Sequence, residues 1–279
     1  MELIKDIIIY GILGAIQGFS EPIPISSSGH LVIFQRIFEK LGLIVPQIND
    51  ITFEIIVNTG SLLAIMYYYR QEIIELFIAF FSYIFNSKTR DYFEYEFRYC
   101  ILLIVATIPA AIGGLLFNDK IESAFSNPKL VGCMLLITAI FLLLIHKFGY
   151  HGKRTARKLN LFDALRMGLF QLLALLPGIS RSGATLTGGM LGGLTQKTAR
   201  DFSFFMFMPV SIGAIVLQLT HLDFTTLSSL WLPYIIAFII SGIVTYGSLK
   251  LLFKLLEKRG LKVFSVYCLV IGIICILFL

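Results

Sequence analysis

Two short stretches carry most of the polar chemistry in this 279-residue chain: GFSEPIPISSSGH (18–30) and LLPGISRSGAT (175–185). The first brings together Glu21, Ser26, Ser27, Ser28, Gly29 and His30; the second brings Ser180, Arg181, Ser182 and Gly183. Serine hydroxyls and free backbone N–H groups at a glycine-containing turn seat anions when the turn opens a helix. An arginine adds planar, two-point recognition of phosphate. A hydroxyl close to an imidazole or carboxylate is a nucleophile with its base. These residue types together point to a phosphate site. Ser26, Ser28, Gly29, Ser180, Ser182 and Gly183 would form its cradle, Arg181 would hold the phosphate, and Ser27 would attack phosphorus. Glu21 or His30 would take the Ser27 proton. Attack by His30 or by water stays open.

The choice of Ser27 follows from an internal repeat. Placing residue 14 on residue 168 aligns GAIQGFSEPIPISSSGH with GLFQLLALLPGISRSGA without gaps and gives six identities in seventeen positions. Gly14, Gln17, Ile25, Ser26, Ser28 and Gly29 fall on Gly168, Gln171, Ile179, Ser180, Ser182 and Gly183. Ser27 falls on Arg181, so the duplicated serines read as cradle residues and the unmatched position as specialised. Gln17 and Gln171 are either cavity hydrogen-bond groups or helix-packing amides. Glu54 is either a second acid of the site or an interfacial residue.

The surrounding elements are those of a membrane protein. Apolar residues make up 57% of the chain and charged ones 14%, against about 25% charged in soluble domains; the mean hydropathy is +0.85. An arginine at bilayer depth costs about 2.5–3.5 kcal/mol on insertion scales, so Arg181 needs an anion, a carboxylate or water. The net charge of +6 reads as basic cytoplasmic loops, not as nucleic-acid binding. Cys100, Cys133, Cys268 and Cys275 lie in apolar runs without metal-ligand spacing and read as core residues. The start of the chain, with Glu2, Lys5 and Asp6, does not resemble a cleaved signal peptide.

A span needs about 20 apolar residues, roughly 17 at minimum. Six segments qualify: 53–69, 99–117, 130–146, 202–219, 230–249 and 263–279. Residues 7–38 and 161–194 instead read as re-entrant helix–turn–helix units, irregular at membrane depth where protein or a wet cavity covers them. Residues 73–85 read as a helix lying along one surface or dipping partly in. The stretches 147–158 and 250–262 each carry five basic residues and read as cytoplasmic loops. This sets the first re-entrant unit entering from outside and the second from inside. The expected fold is an all-α polytopic membrane protein: one domain, six transmembrane helices plus two re-entrant hairpins in an inverted-topology repeat. Repeat 1 covers about 1–146, repeat 2 about 161–279, and the basic linker 147–160 joins them. In such repeats the substrate site lies near the midplane between halves.

GFSEPIPISSSGHL (18–31) and LLPGISRSGAT (175–185) resemble the two signature regions of the undecaprenyl-diphosphatase family, also called the bacitracin-resistance protein family. FEIIVNTGSLLAI (53–65) and GGMLGGLTQKTARDFSFFMFMP (188–209) also look like family segments, so the resemblance covers essentially the whole chain. Gln17 and Glu21 stand at the acidic positions of the first signature, with Pro22 where an aromatic is usual and Ser28 where threonine is usual. In the second, Ser180, Arg181 and Thr185 match, which adds Thr185 to the phosphate-binding set. The resemblance implies hydrolysis of undecaprenyl diphosphate to undecaprenyl phosphate and inorganic phosphate, recycling the lipid carrier of bacterial cell-wall synthesis. It also implies a bacterial plasma-membrane location, a site opening toward the outer face, and a divalent cation, magnesium or calcium. Glu21 would bind that cation, with Gln17 contributing no charge. The partners so implied are the polyprenyl diphosphate lipid and membrane lipids, no nucleic acid, and a homodimer among the assembly options. The rival reading is a transporter or flippase of a polyprenyl phosphate lipid.

Overall fold

The structure, a computed structural model, describes residues 2–43, 51–219, 224–258 and 260–279. Among the described residues every regular element is helical, with one isolated bridge between Arg154 and Leu194. The first half contains α1 (Glu2–Ser20), α2 (Ser27–Lys40), α3 (Ile51–Tyr68), α4 (Arg70–Phe85), α5 (Arg90–Leu116), α6 (Asn118–Phe125) and α7 (Pro128–Phe148). The second contains α8 (Leu161–Leu173), α9 (Arg181–Leu191), α10 (Gln196–Gln218), α11 (Phe224–Ser229), α12 (Trp231–Lys258) and α13 (Lys262–Phe278).

Among the described residues five segments are long and apolar enough to cross a membrane: Leu3–Ser20, Ser87–Leu116, Pro128–Phe148, Gln196–Gln218 and Trp231–Leu256. The chain is therefore a multi-pass membrane protein. Its outward faces carry apolar side chains at helical spacing, such as Ile104, Ile108 and Ile112 on α5 and Val266, Val270 and Ile273 on α13. Between helices the contacts combine large apolar side chains, such as Leu142, Met167, Phe202 and Phe204, with small and polar residues of the kind enriched at membrane helix interfaces. Ser61 on α3 meets Ser241 and Thr245 on α12, each at 2.9 Å.

The segments expected as spans at 53–69 and 263–279 form helices α3 and α13 but fall outside that set of five, whereas α1, expected as a re-entrant limb, belongs to it. At 19 residues α1 reaches about 28 Å, while α8, with 13, reaches only about 20 Å at 1.5 Å per residue. Several boundaries move. α5 begins at Arg90 and α10 at Gln196, and α12 continues to Lys258. The expected loop 250–262 is thus largely helix. Its leucines keep helical spacing with Leu252 and Leu256 buried, and no breaker intervenes before Gly260, at φ +62°. Arg259 of that stretch, and residues 220–223 of the expected outer loop 221–229, lie outside the described residues. The helix expected at 73–85 is α4, which packs on α5.

The helices pack reciprocally. α1 lies on α12 and α8 on α5; α3 also lies on α12 and α10 on α5; α7 pairs with α13. Gly14 and Gly168, equivalent in the repeat, mark the closest approaches. A Cβ on Gly14 would sit 2.5 Å from the Ala237 carbonyl oxygen, and one on Gly168 would sit 2.5 Å from that of Ala106. The linker 147–160 is held down by the buried Asp163 carboxylate, which accepts from Arg154 and Arg166. The four cysteines are unpaired.

Candidate active site

Each signature turn ends in a serine that caps the next helix. Ser26 Oγ accepts from the Gly29 N–H at 3.2 Å and opens α2; Ser180 Oγ accepts from the Gly183 N–H at 3.2 Å and opens α9. Ser28 and Ser182 stand two residues on, 3.4 and 3.3 Å from their capping serines. The two turns touch. The Gly178 N–H donates to Ser26 Oγ at 3.2 Å, and a Cβ on Gly29 would lie 3.1 Å from Gly178 Cα. Ser26 pays for this double role with φ +72°, a strained conformation of the sort that concentrates at functional sites. Thr138 on α7 fixes the second turn, donating to the Gly178 carbonyl at 2.9 Å and accepting from the Ser180 N–H at 3.0 Å.

Ser27 and Arg181 follow their caps directly, so both occupy the first helical position. Both reach Glu21. Ser27 Oγ donates to Glu21 Oε2 at 2.6 Å, and Arg181 Nη2 donates to Oε1 at 2.6 Å. Gln17, one turn before Glu21 on α1, donates to Oε2 at 3.0 Å and to Asn58 Oδ1 at 2.6 Å. The Arg181 guanidinium lies 3.9 Å over the Phe207 ring, a desolvated cation–π contact. Its Nη1 is buried with no partner among the described residues.

These groups line a cavity of about 260 Å³. The first half of the chain contributes Glu21, Ser26, Ser27, Ser28 and Asn58 to the lining and the second half Gln171, Ser180 and Arg181; Leu175, Phe125, Phe207 and Ile215 add apolar surface. Concave, mostly apolar sites with a few convergent polar groups are the usual form of small-ligand pockets.

Six of the expected residues thus line one cavity: Glu21, Ser26, Ser27, Ser28, Ser180 and Arg181. The others lie behind it. Gly29 and Gly183 give their N–H groups to the caps. Ser182 faces a separate small pocket beside Arg200. Thr185 is buried in α9, bonded to the Arg181 carbonyl at 2.8 Å and to Ser203 Oγ at 2.5 Å. His30 is outside the lining as well, contrary to its expected place beside Ser27. A buried imidazole needs partners for both nitrogens, and it finds them in the frame. Nδ1 donates to the Ser26 carbonyl at 2.7 Å, and Nε2 sits 2.8 Å from Tyr267 Oη, against whose ring the imidazole stacks. Glu54 does not line the cavity; Asn58, one turn further along α3, does.

Sequence reasoning passed over Asn58, Phe207, Thr138 and Tyr267. Asn58 carried a signal, as a lone amide inside the apolar run IIVNTG. The other three serve the site only through tertiary contact.

Comparison with known proteins identifies the family of the chain. The family model described as bacitracin resistance protein BacA matches residues 10–274. The chain is similar to undecaprenyl-diphosphatase 3 of Bacillus anthracis, 44% identical over 280 residues and covering 100% of both chains. It is also similar to undecaprenyl-diphosphatase 1 of Bacillus licheniformis, 42% identical over 96% of this chain and 97% of the relative. Undecaprenyl-diphosphatase of Oceanobacillus iheyensis is 38% identical over 98% and 97%. With one family model spanning nearly its whole length and full-length relatives at these identities, the chain belongs to the bacitracin resistance protein BacA family.

Proposed function

We propose that the protein is a membrane phosphatase that hydrolyses undecaprenyl diphosphate to undecaprenyl phosphate and inorganic phosphate, returning the lipid carrier to bacterial cell-wall synthesis. The observation that carries the reading is the meeting of Ser27 and Arg181 on the Glu21 carboxylate, at a cavity lined by Arg181, whose Nη1 is buried with no partner among the described residues.

The diphosphate enters between the two turns while the isoprenoid tail stays among the helices. The terminal phosphate draws on Arg181 through Nη1, then competes with Glu21 for the rest of the guanidinium. As Arg181 turns to the phosphate, Glu21 loses a cation and becomes a better base. Ser27 Oγ gives its proton to Glu21 Oε2 and attacks the terminal phosphorus, and the bond from phosphorus to the lipid monophosphate oxygen breaks. Arg181 and the Ser26, Ser28 and Ser180 hydroxyls stabilise the charge of the transition state. Glu21 sheds that proton to solvent, and water then displaces Ser27 from phosphorus, passing one of its protons by way of Glu21 to the Ser27 oxygen as it leaves. His30 acts as a positioning residue, bracing the Ser26 carbonyl behind the turn.

A magnesium or calcium ion suits the donors present. Glu21, Gln17, Ser27 and Asn58 offer hard oxygens, the ligand type of both ions. With no group of three His, Cys, Asp or Glu side chains among the described residues, such an ion would rest on Glu21, neutral oxygens and the substrate's own phosphates, a common arrangement for magnesium. When bound, it supplies the positive charge that one arginine lacks against a diphosphate.

In the membrane, the reading is six spans and two re-entrant hairpins, α1–α2 and α8–α9, in an inverted repeat. The reciprocal packing of α1 on α12 and α8 on α5 supports it, as does the shortness of α8. The site would open to the outer face, because Phe125 and Gln218 at its wall lie at stretches with no net positive charge, 118–129 with two lysines against two acids and 221–229 with no lysine or arginine, while the basic linker lies at the far end of α8.

Phosphate release from undecaprenyl diphosphate by the purified protein in detergent, with and without chelator, tests this function. Release that stops on chelation is expected. A lipid transporter, the rival reading, releases no phosphate under any of these conditions.

A further inference from the structure

Gln171 on α8 is buried to 1% exposure, lines the cavity, and has no hydrogen-bond partner for either Nε2 or Oε1 among the described residues. A buried polar group in that state is rare and calls for a ligand or water to complete it. The repeat explains how it arises. Gln17, its equivalent in α1, is engaged with Glu21 four residues later and with Asn58. The residue four after Gln171 is Leu175, so the second half carries the amide without the carboxylate. Arg181 Nη1, the other unpartnered donor at this cavity, completes a pair of N–H groups with no acceptor. Both facts ask for the same occupant, one rich in oxygen acceptors.

We infer that Gln171 is a substrate-contacting residue of the diphosphatase. Its Nε2–H donates to a phosphoryl oxygen of the terminal phosphate beside Arg181, and its Oε1 accepts from water within the cavity. The inference rests on the diphosphatase reading above and adds to it a residue that favours a phosphoryl group over an uncharged lipid head.

Gln171→Leu separates this role from helix packing. Leucine has similar bulk and removes two unsatisfied polar atoms, so the variant should melt no lower than the wild type. Phosphate release from undecaprenyl diphosphate in detergent should nonetheless fall about 10²-fold in kcat/KM, the scale of losing one preorganised donor. Inhibition by inorganic phosphate should weaken at least several-fold. Gln171→Glu, which sets a carboxylate against the phosphate, should fall further than Gln171→Leu. If Gln171→Leu melts well below the wild type, Gln171→Met carries the same expectations with a more adaptable side chain. A Gln171→Leu or Gln171→Met protein within twofold of the wild type in kcat/KM and in phosphate inhibition overturns the role of Gln171 alone. A wild-type protein that releases no phosphate overturns the diphosphatase reading and this inference with it.

Discussion

Ser27 and Arg181 occupy the same position in two different helices, the first residue after a capping serine, and both bond to Glu21 at 2.6 Å. The proposed nucleophile and the proposed phosphate-holding cation are thereby registered on one carboxylate. The side chains of Arg181 and Glu21 are 15% and 7% exposed, so the pair is held out of water and each partner depends on the other.

Glu21→Gln breaks both links. It removes the carboxylate that accepts from Ser27, the proposed base, and leaves Arg181 buried without a counter-charge. Phosphate release should drop by at least 10³-fold, combining the loss of the base with a displaced arginine. Removing one partner of a buried pair costs about 3–5 kcal/mol, so the thermal midpoint should fall too. Comparing the melting of Glu21→Gln with that of the double variant Glu21→Gln/Arg181→Met checks the second point: the double variant should recover stability but not activity.

Arg181→Lys keeps the charge but offers a point donor in place of a planar fork. It can pair with Glu21 or reach the phosphate, but does not span both. A loss of about 10²-fold or more in kcat/KM is expected, with the protein still folded. Wild-type turnover in this variant would remove Arg181 from the mechanism.

His30 braces the Ser26 carbonyl and is stacked on Tyr267. An asparagine amide can still donate to that carbonyl, so His30→Asn should keep about a tenth or more of the wild-type rate. Loss of about 10²–10⁴-fold, the range for a missing general acid or base, would instead make the imidazole a proton carrier.

Gly14 and Gly168 let two helices reach the backbone of their neighbours. Gly14→Ala and Gly168→Ala should each destabilise by about 1–3 kcal/mol, the usual cost of overpacking, and by similar amounts because their surroundings are equivalent. Thermal unfolding in detergent measures both. A variant that melts like the wild type would mean that the helices separate freely at that point.

Ser26 combines a positive φ with two accepted hydrogen bonds. Ser26→Ala keeps the strain and loses the cap, which is worth about 1 kcal/mol, along with the tie to Gly178. Ser26→Gly loses the same bonds but relieves the strain. Ser26→Gly should therefore be the more stable of the two, and both should be well below the wild type in activity. Equal stabilities would show that the φ of Ser26 carries no strain.

Membrane residence, helical class and the residues of the two turns were legible in the sequence. Apolar runs, rare charges at depth and repeated capping serines are local patterns, and local patterns survive without knowledge of the partner helix. The pairing of Ser27 with Arg181 was legible too, because the repeat set them at equivalent positions. Helix ends were less so: α5, α10 and α12 run past the charges that seemed to bound them, since long basic side chains can leave the apolar layer while their backbone stays helical. What only the tertiary structure decided was direction. It turned His30 away toward Tyr267, set Ser182 on a separate small pocket, brought Asn58 from α3 to Gln17, and left Gln171 on the cavity lining with no partner for its amide among the described residues. Each outcome depends on which neighbour satisfies a buried polar atom, and those neighbours lie up to 237 residues apart in the chain, beyond the reach of any local pattern.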